Sequence, residues 1–522
     1  MKKTVSLILC LLIAVSAVSV VSYAQSVMLG DVTGDGKLNN KDVVTLFRSV
    51  SGDSVECVAE ACDVNGDGKV NNKDVVALFK HVSSGTVPGT GNDPSSGLPE
   101  RDYGGYTVKI LTNEDGAAEK DIFGDGSGSD LDKAIRRRTE LVKKESNIRF
   151  EIKKSENALN DLRVKWASGE PAYDLVQMNA MDLCTAASNG YLANLRNIPF
   201  IETYEPCWDQ GQIRTFSIKN KLFCITGELS VAANDDTYLM AYNSDLFAEY
   251  NLGDPLERMK NGQLTLDYLY EVDAQLKYDL NSNGAFDEYD RYGTGAGIEG
   301  LVSLFFGAGG FIAKNNSSDV PAFDMRALKI DTAYKIKDMY DAGMLYGDAN
   351  SLGSAFINGQ IAVYIATAKD AAEALQYVEF GAGLLPLPKA DDAQESYLSY
   401  VSRDAYLYAV PSTVRNSGNE EKAGYALTSL CRLSHEIVTP EYRKTFDIRL
   451  TGVLSIVDPD ALEVIFTSRA WDLVYHGLYS DLEEDALGFS GGQPDLGSLL
   501  SVFNKIQKLV KNYVSAIDAN TD

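Results

Sequence analysis

Apolar residues recur at helical spacing in two segments near the amino terminus of the chain. Segment 43–50 has apolar residues at i, i+3, i+4 and i+7, and segment 75–82 repeats the same spacing. This period predicts two short amphipathic helices. The surrounding stretches 31–51 and 63–83 are identical at 16 of 21 positions, so the chain contains an internal duplication.

A different pattern follows residue 101. Segment 106–112 predicts a β-branched strand, segment 129–146 a long helix and segment 148–152 a second strand. Strand and helix patterns then alternate along the chain, which indicates α/β layers with parallel sheets. We expect the region 102–522 to form two lobes, because a single hydrophobic core stops growing at about 250–300 residues.

The chain begins with the pattern of a secretory signal peptide. Lys2 and Lys3 precede the apolar stretch 7–21, and Ser22-Tyr23-Ala24 offers a cleavage site. The apolar stretch is shorter than the roughly 20 residues that a membrane span requires, although an uncleaved anchor is the alternative. The expected organisation is a leader (1–24), a small all-α module (25–84), a Gly-, Pro- and Ser-rich linker (85–101) and a two-lobed α/β domain (102–522).

Charge and cysteine content narrow the possible partners. The formal net charge is −26, which argues against nucleic acid and against an anionic membrane surface, since both require basic patches. Cys10 lies within the leader and not at its end, so no lipid anchor is expected. The other six cysteines of a secreted chain permit disulfides, but buried free thiols are equally compatible with the sequence.

Each copy of the repeat contains a twelve-residue loop with oxygen-bearing side chains at alternating positions and a glycine at position six. Calcium takes about six to eight oxygen ligands, and this spacing supplies them from one short loop. Gly36 and Gly68 permit the sharp turn with positive φ. We therefore expect two calcium ions. The expected ligands are Asp31, Thr33, Asp35, the Lys37 carbonyl, Asn39 and Asp42 in the first loop, and Asp63, Asn65, Asp67, the Lys69 carbonyl, Asn71 and Asp74 in the second.

A duplicated loop and helix of this kind, spanning residues 29–84, resembles a type I dockerin. The resemblance implies binding to a cohesin module of a scaffoldin, through loop positions ten and eleven and through the exposed face of the following helix. Phe47 and Phe79 also lie on the apolar stripe, so core packing is the alternative for them. The near-identity of the copies implies that either one could face the cohesin. The implied contact residues are Asn40, Lys41, Phe47 and Arg48 in the first copy and Asn72, Lys73, Phe79 and Lys80 in the second.

Several short motifs follow one another in the region 102–522. They are Tyr173-Asp-Leu-Val176 with segment 187–195, Met240-Ala-Tyr-Asn-Ser-Asp-Leu-Phe247, and segments 356–363, 385–389 and 409–414. Their order and spacing resemble the family 1 extracellular solute-binding proteins, the capture subunits of ABC importers. The resemblance implies two lobes that close on a solute in the cleft between them. Segment 262–266 lacks the tryptophans that the family often carries, so ligand specificity is not implied.

A third loop of the calcium type lies inside this region, at residues 279–290. It has oxygen-bearing side chains at the same positions, Gly284 at position six and Phe286 at position eight. We expect one further calcium ion here. The expected ligands are Asp279, Asn281, Asn283, the Ala285 carbonyl, Asp287 and Asp290.

Sugars are the commonest ligands of the family that the large region resembles. Sugar binding requires aromatic faces beside side chains that hydrogen-bond hydroxyl groups. The candidates are Trp208 with Asp209, Trp471 with Asp472, and Tyr238 with Asp236, whereas core packing is expected for Trp166. We expect no enzyme here; a polysaccharide-degrading enzyme with two carboxylates across a cleft is the main alternative, and a non-transport glycan-adhesion role is another.

Overall fold

The computed structural model describes residues 29–53, 55–64, 69–84, 94–287, 289–323, 328–342, 345–347, 351–446, 448–450, 453–455, 457–481, 487–489 and 496–520. The chain divides into two compact units, Met1–Asp93 and Pro94–Asp522. The expected leader 1–24 lies outside the described residues, as do linker residues 85–93 and the expected calcium ligands Asn65 and Asp67.

The first unit contains the two helices that the apolar period predicts. Helix α1 spans Asn40–Val50 and helix α2 spans Asn72–Ser84, and a short 3₁₀ turn, Ala59–Ala61, lies between them. The side chain of Asn39 accepts a hydrogen bond from Lys41 N and caps α1. The core of the unit consists of Val32, Leu46, Cys62, Val64 and Leu78.

The second unit alternates strands with helices. Its strands are β1 Thr107–Asn113, β2 Arg149–Ser155, β3 Leu175–Asn179, β4 Tyr238–Asn243, β5 Tyr292–Gly295, β6 Ala313–Asn315, β7 Pro321–Phe323, β8 Leu345–Tyr346, β9 Ile361–Thr367, β10 Ala382–Leu385, β11 Ser399–Tyr400, β12 Tyr406–Ala409, β13 Ile448–Leu450, β14 Val453–Ser455 and β15 Arg469–Ala470.

The helices of the second unit connect and flank these strands. They are α3 Ala118–Phe123, α4 Asp130–Ser146, α5 Ala158–Ser168, α6 Ala180–Ser188, α7 Gln210–Phe216, α8 Val231–Asp235, α9 Ser244–Glu249, α10 Pro255–Lys260, α11 Leu266–Leu276, α12 Ile298–Gly307, α13 Ile330–Asp341, α14 Leu352–Ile357, α15 Ala368–Leu375, α16 Glu420–Leu433, α17 Thr439–Arg443, α18 Pro459–Thr467, α19 Leu473–Gly477 and α20 Leu496–Ala519. Among the described residues, no helix is both long and apolar enough to span a bilayer.

A four-stranded sheet forms the first lobe of the second unit, with strand order β12-β3-β1-β2. Strand β1 pairs in parallel with β2, from Thr107 opposite Arg149 to Asn113 opposite Ser155, and in parallel with β3. Strand β12 returns antiparallel to β3. The strand and helix boundaries of this region confirm the sequence prediction to within three residues.

A five-stranded sheet forms the second lobe, with strand order β10-β4-β9-β5-β8. Strands β9, β5 and β8 are parallel, whereas β4 and β10 run antiparallel to their neighbours. All six residues of β4 are buried, as expected for a central strand covered on both faces. The chain passes from the first sheet to the second before β4 and returns to the first at β12, so the two lobes are joined by more than one segment.

Residues 94–98 belong to the second unit and not to the linker that the sequence predicts. Ser96 donates hydrogen bonds from its backbone and hydroxyl to Glu145, at 3.0 and 2.6 Å. Arg432 donates to the Ser96 carbonyl at 3.0 Å, and Leu98 packs against the core of the first lobe. Gly, Pro and Ser composition predicted flexibility here, but these contacts fix the segment.

Candidate functional site

The carboxyl ends of two parallel strands in the first lobe place polar residues together. Asn113 ends β1 and Asp115 lies two residues later, while Asp182 lies three residues after the end of β3. The hydroxyl of Tyr406 donates a hydrogen bond to Asp115 Oδ1 at 2.9 Å. Burial raises the pKa of Asp182, although Asn113 opposes this by donating a hydrogen bond to it. Ligands of open α/β sheets bind outside this edge of the strands.

The second lobe contributes a matching edge. Glu299 lies in the first turn of α12, directly after the carboxyl end of β5, and Tyr238 begins β4 opposite Thr367 at the end of β9. Glu299 Oε1 accepts hydrogen bonds from the hydroxyls of Tyr400 and Ser402, at 3.1 and 2.5 Å. The second lobe therefore presents a carboxylate that its own hydroxyl groups hold in place.

Asp236 lies where the chain passes between the lobes, and its environment is strongly acidic. Burial is the main cause that raises its pKa from 3.8 to about 7, and the negative charges of Asp235, Glu299 and Asp404 add to the effect. A carboxyl group in this state exchanges its proton near neutral pH, so it can both donate and accept hydrogen bonds. We refer to Asp115, Asp182, Asp236, Glu299, Asp404 and Tyr406 as the interlobe site.

A buried network fixes the segment that carries Asp236. Asp121, which is fully buried, accepts hydrogen bonds from Gln177 at 3.0 Å, Ser230 at 2.9 Å and Tyr408 at 3.0 Å. It also accepts from the backbone amide of Ala232 in the first turn of α8, at 3.2 Å. Strands β3 and β12 thereby hold helix α8, and α8 ends one residue before Asp236.

The interlobe site suits a neutral ligand that carries many hydroxyl groups. Its carboxylates accept hydrogen bonds, and Asp236 can donate one when it is protonated. Tyr238 and Tyr400 pack with ring centroids 5.4 Å apart beside Glu299, and Tyr400 stacks on Phe306 at 5.3 Å. The aromatic rings make the position of Glu299 rigid, which favours selective recognition.

The first twelve-residue loop is closed by backbone amides that donate to its end carboxylates. Asp31 accepts from Gly36 N at 2.8 Å, and Asp42 accepts from Thr33 N at 3.0 Å and from Asn39 N at 2.9 Å. Asp31 and Asp42 are almost fully buried, and a buried carboxylate is costly without a compensating charge or donor. This donor set fits calcium.

The second loop repeats the described part of this arrangement. Asp74 accepts from Asn71 N at 2.7 Å and is fully buried, as Asp42 is. Among the described residues, no three Asp, Glu, His or Cys side chains cluster as a ready-made metal cage. The sequence pattern predicts that amide, hydroxyl and carbonyl oxygens complete each loop.

The third loop has the same internal hydrogen bonds as the first. Asp279 accepts from Gly284 N at 2.9 Å, as Asp31 does from Gly36. Asp290 accepts from the amide of Asp287, the ninth position, at 2.9 Å and is fully buried. Gly284 has φ +81°, close to the +79° of Gly36. The backbone of residues 279–290 therefore has the hydrogen bonds of a calcium loop at its sixth and ninth positions.

The helices of the first unit expose an apolar face. Phe47 and Phe79 are 54% and 56% exposed, and Val44 and Val76 lie beside them, one turn earlier, at 55% and 54%. Core packing is thus not the role of these phenylalanines. The side chains of Asn40, Lys41, Arg48, Asn72 and Lys73 are exposed as well, and the side chain of Lys80 lies outside the described residues.

Sequence models of two families match the chain. The model of the bacterial extracellular solute-binding protein matches residues 127–425, and the model of the type I dockerin domain matches residues 29–83. The chain belongs to the bacterial extracellular solute-binding proteins. It carries a type I dockerin amino-terminal to its solute-binding domain, which confirms the resemblance of both regions.

The solute-binding domain has the fold of a solved sugar-binding protein. The sugar-binding protein MalE from Xanthomonas citri aligns with 79% of this chain and 99% of its own, at 13% identity and a TM-score of 0.50. UspC from M. tuberculosis aligns with 78% and 100%, at 15% identity and a TM-score of 0.49. A search of curated proteins finds no match to this chain.

The structure separates the predicted solute-binding residues into two groups. Asp236 is among the residues that we group as the interlobe site, whereas Tyr238 is 8% exposed and packs on Tyr400 beside Glu299. Trp471 and Asp472 lie in the core of the solute-binding domain, at 2% and 0% exposure, so their assignment to a cleft is wrong. Asp472 accepts hydrogen bonds from the backbone amides of Ile312, Ala313, Val474 and Tyr475, which makes it a structural residue.

Trp208 and Asp209 are also buried, at 2% and 6% exposure. Asp209 caps α7 through Gln212 N at 2.9 Å, accepts from Trp471 Nε1 at 3.1 Å and pairs with Arg469 at 3.1 Å. Trp166, for which core packing was expected, is instead 40% exposed and packs on Tyr191 at 4.8 Å. The prediction for these residues was based on side-chain type alone. It was wrong because the sequence does not show which face of a helix or strand is covered by the rest of the domain.

Sequence reasoning missed Glu299, Asp404, Asp115, Asp182 and Tyr406. Their common signal is position, since Asp115, Asp182 and Glu299 follow soon after the ends of β1, β3 and β5. Recognition of those strands as parallel would have directed attention to the residues that follow them. Six cysteines are free thiols in the structure: Cys57, Cys62, Cys184, Cys207, Cys224 and Cys431.

Proposed function

We propose that this protein is a secreted capture protein that holds an oligosaccharide at the interlobe site and is attached to a cell-surface scaffoldin through its dockerin. The observation that supports the solute site most directly is the environment of Asp236, whose pKa is raised to about 7 by burial and by the negative charges of Asp235, Glu299 and Asp404. The fold neighbour from Xanthomonas citri is a sugar-binding protein, which supports a sugar as ligand.

Closure of the two lobes on the solute would complete the site. Asp115 and Asp182 belong to the first lobe and Glu299 to the second, so a bound sugar would contact both. A ligand shifts such an equilibrium only by its higher affinity for the closed form. The captured sugar would then stay close to the scaffold or pass to an ABC importer of the same cell.

Cohesin is the proposed partner of the dockerin. The exposed Phe47 and Phe79, with Asn40–Lys41 and Asn72–Lys73, form two equivalent faces on the two helices. Either face could bind the same cohesin, with one face left free. Aromatic residues surrounded by polar ones are the usual centre of such interfaces.

Three calcium ions complete the proposal, two in the dockerin and one in the loop 279–290. In the dockerin, calcium would neutralise the buried carboxylates and fix the start of each helix. In the solute-binding domain, it would fix the connection between α11 and β5, and β5 leads directly to Glu299. Calcium would therefore stabilise the dockerin fold and support one edge of the solute site.

Hydrolysis of a polysaccharide is the second candidate, and one observation favours it. Asp236 has a pKa of about 7 through burial and nearby acids, and raised carboxyl pKa values are common at general acids of glycosidases. Binding without turnover remains our proposal, because the family consists of solute-binding proteins.

Calorimetric titration of the secreted chain with soluble plant-polysaccharide oligomers tests both candidates, if the oligomers are analysed by chromatography afterwards. We expect saturable binding with the oligomer length unchanged. Detection of shortened oligomers would show that the protein hydrolyses its ligand and does not only bind it. A complete lack of binding across the panel would contradict a sugar as the ligand.

A further inference from the structure

Two buried cysteines of the first lobe lie against each other as free thiols. The thiol of Cys431, on α16, donates a hydrogen bond to the backbone carbonyl of Cys207 at 2.9 Å. Both side chains belong to the same hydrophobic core, and they are 0% and 4% exposed. The sulfur of Cys431 therefore contacts the residue to which a disulfide would join it, although the two cysteines are 224 positions apart in the sequence.

A bidentate ion pair next to the thiols fixes the two segments relative to each other. Arg432, the residue after Cys431, donates from Nε to Glu205 Oε2 at 2.7 Å and from Nη2 to Glu205 Oε1 at 2.6 Å. Glu205 is buried and lies two residues before Cys207. Bidentate pairs of this kind have a defined geometry, so this one holds α16 and the segment before α7 in one register.

The face of α16 that carries Cys431 packs along the same segment for more than two turns. Thr428 donates from its hydroxyl to the Phe200 carbonyl at 3.0 Å. One turn earlier, a Cβ atom at Gly424 would clash with the Pro199 carbonyl, which shows how closely the two backbones approach. Gly424, Thr428 and Cys431 occupy positions i, i+4 and i+7, so they share one helix face. The contact at Cys431 is thus the end of a continuous packed interface.

Gly227 leaves space for sulfur between these two segments. A Cβ atom at this position would lie 3.1 Å from Cys431 Sγ and would clash with the carbonyl oxygen of Cys207. The amide of Glu228 donates to that same carbonyl at 2.9 Å, so the backbone of Cys207 is fixed from this side as well. The Cys207 thiol lies 3.9 Å from Glu205 Oε2, and its rotation toward Cys431 would bring the two sulfur atoms together.

The environment of the pair would protect a bond once it has formed. Burial raises the pKa of the Cys431 thiol, and the neighbouring Cys207 side chain raises it further. The thiolate is the form that attacks disulfides, so thiols in this core exchange slowly after folding. External reductants would also have to reach sulfur atoms that the core covers.

We propose that Cys207 and Cys431 form a disulfide when the chain folds outside the cell, and that this bond locks α16 to the segment before α7. The proposal rests on the proposed secretion of the chain and not on the identity of its solute, since secreted proteins fold under oxidising conditions. Two thiols lose two protons and two electrons as the S–S bond forms. A second disulfide, such as oxidised glutathione, accepts them and becomes two thiols.

Peptide mapping of the full chain, refolded in a mixture of reduced and oxidised glutathione, tests the bond. The protein is alkylated in denaturant, digested and analysed by mass spectrometry with and without reduction. We expect a linked pair of peptides that contain Cys207 and Cys431 and separate only on reduction. Recovery of the two cysteines as alkylated thiols, or linked to other cysteines, would overturn the proposal. Because the oxidant is supplied in the buffer, a failure here would be distinct from a failure of secretion or of solute binding.

Thermal unfolding with and without dithiothreitol measures what the bond contributes. Reduction should lower the melting temperature of the wild type by about 3 °C or more, because a disulfide that closes a long loop restricts the unfolded chain. The Cys207→Ala, Cys431→Ala double variant should melt at one temperature under both conditions. An equal shift in this variant and in the wild type would contradict the proposal.

The matched control is the Cys184→Ala, Cys224→Ala double variant, which removes two other buried thiols of the same core. It should keep the linked peptides and the full shift on reduction. If the Cys207→Ala, Cys431→Ala variant fails to fold, the peptide map of the wild type still decides, since it requires no substitution.

Discussion

The hydroxyl of Tyr400 donates a hydrogen bond to Glu299 Oε1 across 101 residues of sequence, at 3.1 Å. Tyr400 is fully buried and precedes the segment that returns the chain to the first lobe. The bond therefore joins the first turn of α12 to the connection between the lobes. It positions a carboxylate that the second lobe contributes after the end of a parallel strand.

Replacement of Tyr400 by phenylalanine tests this relationship. The ring stacking on Phe306 is retained, whereas the donor to Glu299 and the acceptor for the backbone amide of Arg403 are both lost. We expect the free energy of unfolding to fall by about 1–2 kcal/mol, since one hydrogen bond has a usual net value of about 1 kcal/mol. Urea unfolding measures the change, and the solute affinity should fall as well. An unchanged affinity would show that Tyr400 does not position Glu299 for binding.

The raised pKa of Asp236 predicts a dependence of stability on pH. A carboxyl group whose pKa is about 7 in the folded chain and about 3.9 when unfolded binds more protons in the folded state between these values. Its contribution therefore favours folding at low pH and is lost as the pH rises through 7. Asp236→Asn should raise the melting temperature relative to the wild type at pH 8 and have less effect at pH 5. The opposite trend would contradict the acidic environment described here.

The third loop predicts the number of calcium ions. The full chain should bind three, and Asp279→Ala combined with Asp290→Ala should reduce the number to two without affecting cohesin binding. Calcium at about 100 times its dissociation constant adds about 2.7 kcal/mol to the stability of the part that binds it. Calorimetric titration of calcium after chelation measures the stoichiometry. A measured stoichiometry of two calcium ions for the wild type would show that the loop 279–290 does not bind calcium.

The exposed phenylalanines predict how the dockerin binds cohesin. Phe47→Ala and Phe79→Ala should each leave binding nearly intact, since the other face remains, whereas the double variant should lose at least 2 kcal/mol. Stability should change little in all three. The matched control is Leu46→Ala, a fully buried neighbour, which should destabilise the module by about 2–5 kcal/mol. Complete loss of binding in one single variant would indicate one functional face.

Asp472 provides a test of the corrected assignment. Its carboxylate accepts four backbone hydrogen bonds from two segments of the solute-binding domain. Asp472→Ala should lower the free energy of unfolding by at least about 2 kcal/mol, because it leaves buried amide donors unpaired. Binding measured on the protein that remains folded should be unaltered. If the variant lost affinity for the solute while its stability stayed normal, Asp472 would be a solute-binding residue after all.

The amino-terminal half of the fold was predictable because its signals are local. Loop ligands at fixed spacing, Gly36 at φ +79° and the capping residue Asn39 all lie within one segment of twelve residues. Strand β1 and helix α4 were predictable for the same reason, since Ser129 caps α4 and Asn147 ends it in the left-handed region, at φ 54°.

The interlobe site was only partly predictable, because it depends on strand order. Strand β12 pairs with β3, although β3 precedes it by more than 200 residues in the sequence. No local pattern therefore shows that Tyr406 approaches Asp115. Asp236 was found from its neighbour Tyr238, whereas the only signal for Glu299 was its position after β5, which requires the strand order to be known. Trp471 and Asp472 had the composition of a sugar site, but their burial is set by contacts with segments far away in sequence.

The most direct test of the central claim is the affinity of the Glu299→Gln variant for the oligosaccharide that the wild type binds, measured by calorimetry beside Glu249→Gln. Glu249 is an exposed residue at the end of α9, in the same lobe. We predict a loss of about 10- to 100-fold for Glu299→Gln, the value of a hydrogen bond to a charged group, and no change for Glu249→Gln. Equal affinity of both variants and the wild type would contradict a solute site between the lobes.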